Sequence, residues 1–452
     1  MNQIASSFSV FVFVLLAFQT SPAQVITDIL NFNGTNGAEP FYGNLAQGRD
    51  GKLYGTTYLG GANQDGTVYR LNPANNFYSI LHSFDGTDGS NPGAGLTLAS
   101  DGNFYGTTEG GGSNQLGVLY KINPNGTYTV LHNFEGGSDG SYPFGPPIEA
   151  SDGNLYGVTS GFNSEAPTLY QYTRSGVYNV LFNFDSATTG SIAYGLIQGS
   201  DNLLYVTSEM GGPNKCGTIT KFTLTGTVRA VHSFNCKNGG KFPYATLIQA
   251  TDGNYYGTTQ AGGSYQGVVY RINASNFGEN VIVDSSADGA WEAIPGLVQA
   301  SDGNLYGVTF GGQGGTHLYN WSLTAGYTDL GAFPISAEAS QGLVQNTNGV
   351  FYGTSEIYGL DNFGYIYSAD LGLSPFITFV RAQGKVGSVA QILGNGLTGT
   401  ASVTFNGIPA TFTVVSDTYL TATVPTGATS GPVVVSTSTG TLTSNKNFKV
   451  TQ

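Results

Sequence analysis

Charge is scarce in this chain. Only 10% of its 452 residues are Asp, Glu, Lys or Arg, and 28 acids against 15 bases leave a net charge of -13. That balance argues against a phosphate-binding surface, and so against nucleic acid or anionic lipid as partner. Cysteine, methionine and tryptophan number two each, too few cysteines for a disulfide scaffold or a thiolate metal cluster. Long apolar runs are missing as well. The run Phe8 to Phe18 (FSVFVFVLLAF) has 11 residues, short of the roughly 20 that an ordinary transmembrane helix needs. No Lys or Arg precedes it, but small residues follow at Ser21 and Ala23. An export signal over residues 1–23, cleaved before Gln24, is the expectation. The mature chain is then soluble and extracytoplasmic, with no membrane span.

Glycine is abundant at 68 residues, with 28 Tyr and 27 Phe. Forty per cent hydrophobic residues are enough for a core and exclude disorder. The glycines have no three-residue period, which excludes collagen. Aromatics interleaved with breakers point to many short strands joined by turns.

A repeat organises most of the chain. The pattern Asp-Gly-x-x-Tyr-Gly-x-Thr recurs around Tyr54, Tyr105, Tyr156, Tyr205, Tyr256, Tyr306 and Tyr352, at spacings of 51, 51, 49, 51, 50 and 46. A second marker, Gly-x-[Val/Leu/Ile]-Tyr, supplies Tyr69, Tyr120, Tyr170, Tyr270, Tyr319 and Tyr367, with Thr220 in the fourth copy. A third is an apolar strand ending in Phe32, Phe84, Phe134, Phe184, Phe234 or Phe333, degraded in the sixth copy. Four strand-like runs per copy at this period predict a β-propeller. In the second copy they are GLTLAS (strand A), NFYGTT (B), GVLYKIN (C) and TYTVLHNF (D). Seven A-B-C sets accompany only six internal D strands, so VITDILNF at 25–32 is expected to complete the last unit, near 342–370. An all-β, seven-bladed propeller over 24–371 follows.

The repeat resembles the GloVer tandem repeat of secreted bacterial proteins, whose copies read like SDGNLYGTT followed by Gly-Gly and Gly-x-[Val/Ile]-Tyr. Here Asn202, Val206 and Asn348 depart from it, and the third B–C loop has no Gly-Gly. The resemblance implies fold and location but no reaction. Beyond Ser374 the composition shifts to Thr, Val and Ser in alternating runs, which predicts a small β-sandwich over 375–452. Through Gly384-Lys385-Val386-Gly387, Gly394-Asn395-Gly396-Leu397, Val403 to Gly407 and Val424-Pro425, this segment resembles an IPT/TIG immunoglobulin-like domain. That resemblance implies a spacer or adhesive module.

Few residues carry recognisable chemistry. Cys216 and Cys236 flank the C–D hairpin of the fourth copy symmetrically about Gly226, and a disulfide between them is expected. His82, His132 and His232 share one D-strand position that holds Leu30 and Phe182 elsewhere, which marks packing rather than catalysis. The A–B aspartates suit tight turns. Asp85, Asp88 and Asp139, in longer D–A loops, leave calcium open as the one cofactor considered. Of the 28 tyrosines, 13 fall at two repeat positions and are architectural.

One place varies freely inside the fixed pattern. After Tyr-Gly-x-Thr come Tyr58, Glu109, Ser160, Glu209, Gln260, Phe310 and Glu356. The place opens the B–C loop, on the face that also bears the D–A loops, where a rigid scaffold would present function. Tyr58, Glu109, Glu209, Gln260, Phe310 and Glu356 are therefore the candidate ligand contacts, and drift at exposed positions is the competing account. The leading expectation is a monomeric, non-catalytic secreted protein that binds a polysaccharide or a surface protein. The alternatives are a polysaccharide-active hydrolase or lyase with acidic residues in the funnel, and a purely structural envelope component. No catalytic triad or metal-ligand motif is present.

Overall fold

The computed structural model describes residues 25–41, 43–161, 165–236, 239–262, 267–284, 296–309, 316–333, 342–356 and 361–451. Among these the protein is all-β, and no helix is long and apolar enough to cross a membrane. The expected export signal lies outside the described residues.

Seven four-stranded antiparallel sheets follow one another along the repeat. In the second unit strands A to D are Thr97–Leu98, Phe104–Thr108, Val118–Ile122 and Tyr128–Asn133. Strand A is shorter than the six residues expected. The last sheet takes its outer strand from the other end of the chain: Val25–Asn31 pairs antiparallel with Tyr365–Asp370, beside Phe351–Ser355 and Val344–Gln345. Phe32 is fully buried there, in a cluster with Leu45, Leu53, Tyr69, Leu71, Tyr352 and Ile366.

The repeat residues have visible duties. Asp101 accepts a hydrogen bond from the Tyr105 hydroxyl at 2.9 Å and from the Asn103 backbone N–H at 3.0 Å, which closes the A–B turn. Asp50, Asp152, Asp201, Asp252 and Asp302 hold their tyrosines at 2.7 to 2.9 Å in the same way. The turn reading of these aspartates therefore has its physical basis. The next residue adopts positive φ, 86° at Gly102, and Asn202 takes 64° in the fourth unit because Asn tolerates that region. The glycine of Tyr-Gly lies directly opposite the C-strand tyrosine, as Gly106 does opposite Tyr120. A Cβ on Gly106 would meet the Tyr120 hydroxyl at 2.5 Å. The fourth unit departs at both partners together, with Val206 opposite Thr220.

Neighbouring units are clasped at strand A. The carboxamide or carboxylate ending strand A accepts a backbone N–H from the preceding unit: Ser100 to Glu149, Ser151 to Gln198, Ser200 to Gln249, Thr251 to Gln299 and Ser301 to Gln345, at 2.7 to 2.9 Å. Thr347 of the last unit donates to Gln47 of the first at 2.9 Å. Leu98 stands at this place in the second unit, and there Arg49 reaches across to the Ser100 carbonyl at 2.7 Å.

The D-strand histidines pack at unit junctions. His82 stacks on Tyr128 with ring centroids 4.0 Å apart, and His132 on Tyr178 at 3.7 Å. Asp88 lies 2.8 Å from His82 and Asp139 3.0 Å from His132, while Asp85 accepts from the Thr87 and Asp88 backbones. Among the described residues no group of three or more His, Cys, Asp or Glu side chains is placed to hold a metal ion.

The C-terminal segment forms two further four-stranded sheets around a common core of Ile377, Ile392, Val403, Phe405, Leu420 and Val433. It rests on the A–B turns. Arg381 donates to the Ser151 carbonyl at 2.7 Å, Gln391 to that of Ser100 at 2.8 Å, and Thr418 to that of Arg49 at 2.7 Å. In the fourth unit Cys216 and Cys236 form the expected disulfide, with Cα atoms 5.5 Å apart.

Candidate functional site

The described D–A loops share a backbone device. Just before strand A, or at its start in the fourth unit, Glu39, Asn91, Tyr142, Ile192 and Phe242 all take positive φ, between 50° and 60°. Asn91 tolerates this conformation, but it is unfavourable for most other side chains, most of all for a β-branched residue such as Ile192. Strain of this kind persists where surrounding contacts over-determine it, often at functional sites. Here those contacts come from the B-strand ends. The Tyr58 N–H donates to the Glu39 carbonyl at 2.8 Å, Glu109 to Asn91 at 2.9 Å, Ser160 to Tyr142 at 3.1 Å and Gln260 to Phe242 at 3.0 Å. The variable position is thus tied, unit by unit, to the strained loop residue.

Two residues beyond that strained residue stand Phe41, Gly93, Phe144, Tyr194 and Tyr244. Their rings extend the variable positions into an arc. Phe41 packs on Tyr58 with centroids 5.5 Å apart, and the Tyr58 hydroxyl donates to Glu109 at 2.9 Å. Gly93 leaves a gap bordered by Tyr58, Glu109 and Phe144, each 3.8 Å from where its Cβ would be. Phe144 then packs on Tyr194 at 5.1 Å, and Tyr194 on Tyr244 at 4.3 Å. Five consecutive units contribute to this arc, in which Phe144 is buried and Phe41, Tyr58, Tyr194 and Tyr244 are half-buried.

Two carboxylates sit within the arc. Burial pushes the Glu109 carboxyl above the ordinary value of 4.5, with the Tyr58 hydrogen bond opposing. Glu209 is raised by burial too, with a hydrogen bond from Tyr194 opposing. A raised carboxyl binds a proton in the folded state that the unfolded chain has released. The stability these two carboxyls contribute is therefore fully present below 4.5 and is lost as pH rises through the folded value. Glu109→Gln keeps an acceptor for Tyr58 and removes the charge. The variant is expected to be more stable than wild type near pH 7 and equal to it below pH 4.5, read from urea midpoints at both pH values.

The expected contacts are thus partly brought together. Tyr58 and Glu109 touch, and Glu209 joins the arc through Tyr194. Gln260 and Glu356 occupy the equivalent half-buried places in the fifth and seventh units. Phe310 lies outside the described residues. Phe41, Phe144, Tyr194 and Tyr244 were not anticipated. Their signal was the dipeptide Pro-Phe or Pro-Tyr ahead of strand A, at 40–41, 143–144 and 243–244, with Ala193-Tyr194 in the fourth unit.

The Gloeobacter/Verrucomicrobia repeat model matches residues 16–196 and 147–334. The chain belongs to this family. No curated protein matches it. Among solved structures, the repeat protein is similar to a catalytically inactive virginiamycin B lyase from Staphylococcus aureus with quinupristin, at 14% identity and TM-score 0.55, covering 77% of this chain and 99% of that one. A fungal alcohol oxidase in complex with copper gives 12% identity and TM-score 0.55 over 95% and 99% of the two chains. An extracellular domain from B. thetaiotaomicron, assigned to a hybrid two-component system, gives 12% identity and TM-score 0.54 over 96% of this chain and 60% of that one. At such identities the likeness is one of propeller-like fold alone. The disulfide is compatible with an extracytoplasmic location.

Proposed function

We propose that this family member is an exported, non-catalytic binding protein in which a closed seven-bladed propeller presents its loop face to a polysaccharide. The observation that carries the reading is the continuous arc of aromatic rings and carboxylates from Phe41 to Tyr244. Flat aromatic faces stack on the apolar face of a sugar ring, and carboxylates accept hydrogen bonds from its hydroxyls. The strained D–A loops hold these groups before a ligand arrives, which lowers the ordering cost of binding. The closed ring is supported by the Thr347 to Gln47 contact and by the N-terminal strand in the last sheet. The C-terminal sheets act as an immunoglobulin-like module that covers the opposite face, so the loop face is the one left to a partner.

A glycan array probed with the chain from residue 24 tests this. Binding to a limited set of glycans is expected, with most signal lost in a Phe144→Ala, Tyr194→Ala double variant of unchanged circular dichroism. A hydrolase or lyase is the second reading, favoured by the raised Glu109 and Glu209 carboxyls, since a protonated carboxyl can serve as general acid. Products released from the bound glycan by wild type but not by Glu209→Gln would establish it.

A further inference from the structure

A chamber lies where the C-terminal sheets meet the A strands. Its volume is about 290 Å³, and its walls are mainly apolar, including Leu45, Leu98, Leu297, Leu343 and Phe379. Its one charged lining residue is Lys446, reached from the loop that precedes the final strand of the C-terminal segment. Among the described residues no carboxylate lines the chamber, and no ion pair involves Lys446. The four glutamines on the wall are committed elsewhere: Gln47, Gln249, Gln299 and Gln345 each accept from one backbone N–H and donate to the hydroxyl beside it. They cannot neutralise the ammonium.

We propose that this chamber is a binding site for a small organic carboxylate, with Lys446 as its counter-ion. The Lys446 side chain keeps accessible surface, and the protein around it desolvates the ammonium and lowers its pKa. Such a group is stabilised most by an opposite charge brought to it. The neighbouring Asn445 also lines the chamber, and its amide N–H can donate a second contact to an anion. The apolar walls favour a carboxylate with a hydrocarbon body over a hydrated inorganic ion, which would lose its water shell against leucine.

The test is calorimetric titration of the chain from residue 24 with butyrate and benzoate, and with chloride and sulfate at matched ionic strength. Saturable binding of at least one organic carboxylate is expected, retained in Lys446→Arg and weakened at least tenfold in Lys446→Met. If Lys446→Met does not fold, Lys446→Gln is expected to show the same loss. Equal affinity in the neutral variants, saturation by chloride alone, or no saturable binding would each overturn the proposal. The site is separate from the loop-face arc, so either can fail without the other.

Discussion

Gly106→Val is expected to destabilise the protein by about 3 kcal/mol, the upper range for an overpacked core. The reason is steric: the first added carbon would stand 2.5 Å from the Tyr120 hydroxyl and 2.9 Å from Leu96. Tyr120→Thr alone is expected to cost about as much through the cavity it leaves. The double variant reproduces the pair that the fourth unit uses, Val206 opposite Thr220. It should therefore cost at least about 2 kcal/mol less than the sum of the two single changes. A double-mutant cycle in urea measures this coupling. Simple additivity would mean that the glycine is needed for its backbone and not for the ring above it.

Removal of residues 25–32 should have the largest effect of all. The deletion takes away the partner of Tyr365–Asp370 and leaves an open strand edge. It also removes Phe32, fully buried between the last and first units, a loss worth about 3–5 kcal/mol by itself. The truncated chain is expected to aggregate or to form swapped oligomers on a sizing column. A synthetic peptide with the sequence VITDILNF should return part of it to the monomer position. A soluble monomer melting within a few degrees of wild type would show that the strand is dispensable.

Much of this was legible because the repeat shows which residues depend on each other. Seven copies of the B-strand pattern against six D strands required a strand from elsewhere, and Val25–Asn31 is where the count placed it. The disulfide followed from the hairpin symmetry of Cys216 and Cys236. The linked departure of Val206 and Thr220 was visible as two separate exceptions. Only the strand register joins them, and register is a property of pairing rather than of either sequence segment. The aromatic arc was half legible. Tyr58, Glu109 and Glu209 stood out by varying inside a constant frame. Phe144, Tyr194 and Tyr244 recur 50 residues apart, but they fall outside the B-, C- and D-strand markers, so their place on the scaffold was not read. That place is set by the positive φ of the residue two positions before, and Tyr142, Ile192 and Phe242 give no sign of it in their side chains. The Lys446 chamber was not legible, since it forms between segments about 400 residues apart, near Gln47 and Lys446.

The most direct measurement is the affinity of the chain from residue 24 for its best-bound glycan, taken by calorimetry for wild type, Tyr58→Ala and Tyr194→Ala. Each substitution removes one ring from the arc. Each should weaken binding about tenfold or more, above 1 kcal/mol, as expected for aromatic anchors. Melting temperatures should stay nearly constant, because both side chains sit at the surface mouth and not in the core clusters. Full affinity in both variants, or the absence of any bound glycan, would contradict the account.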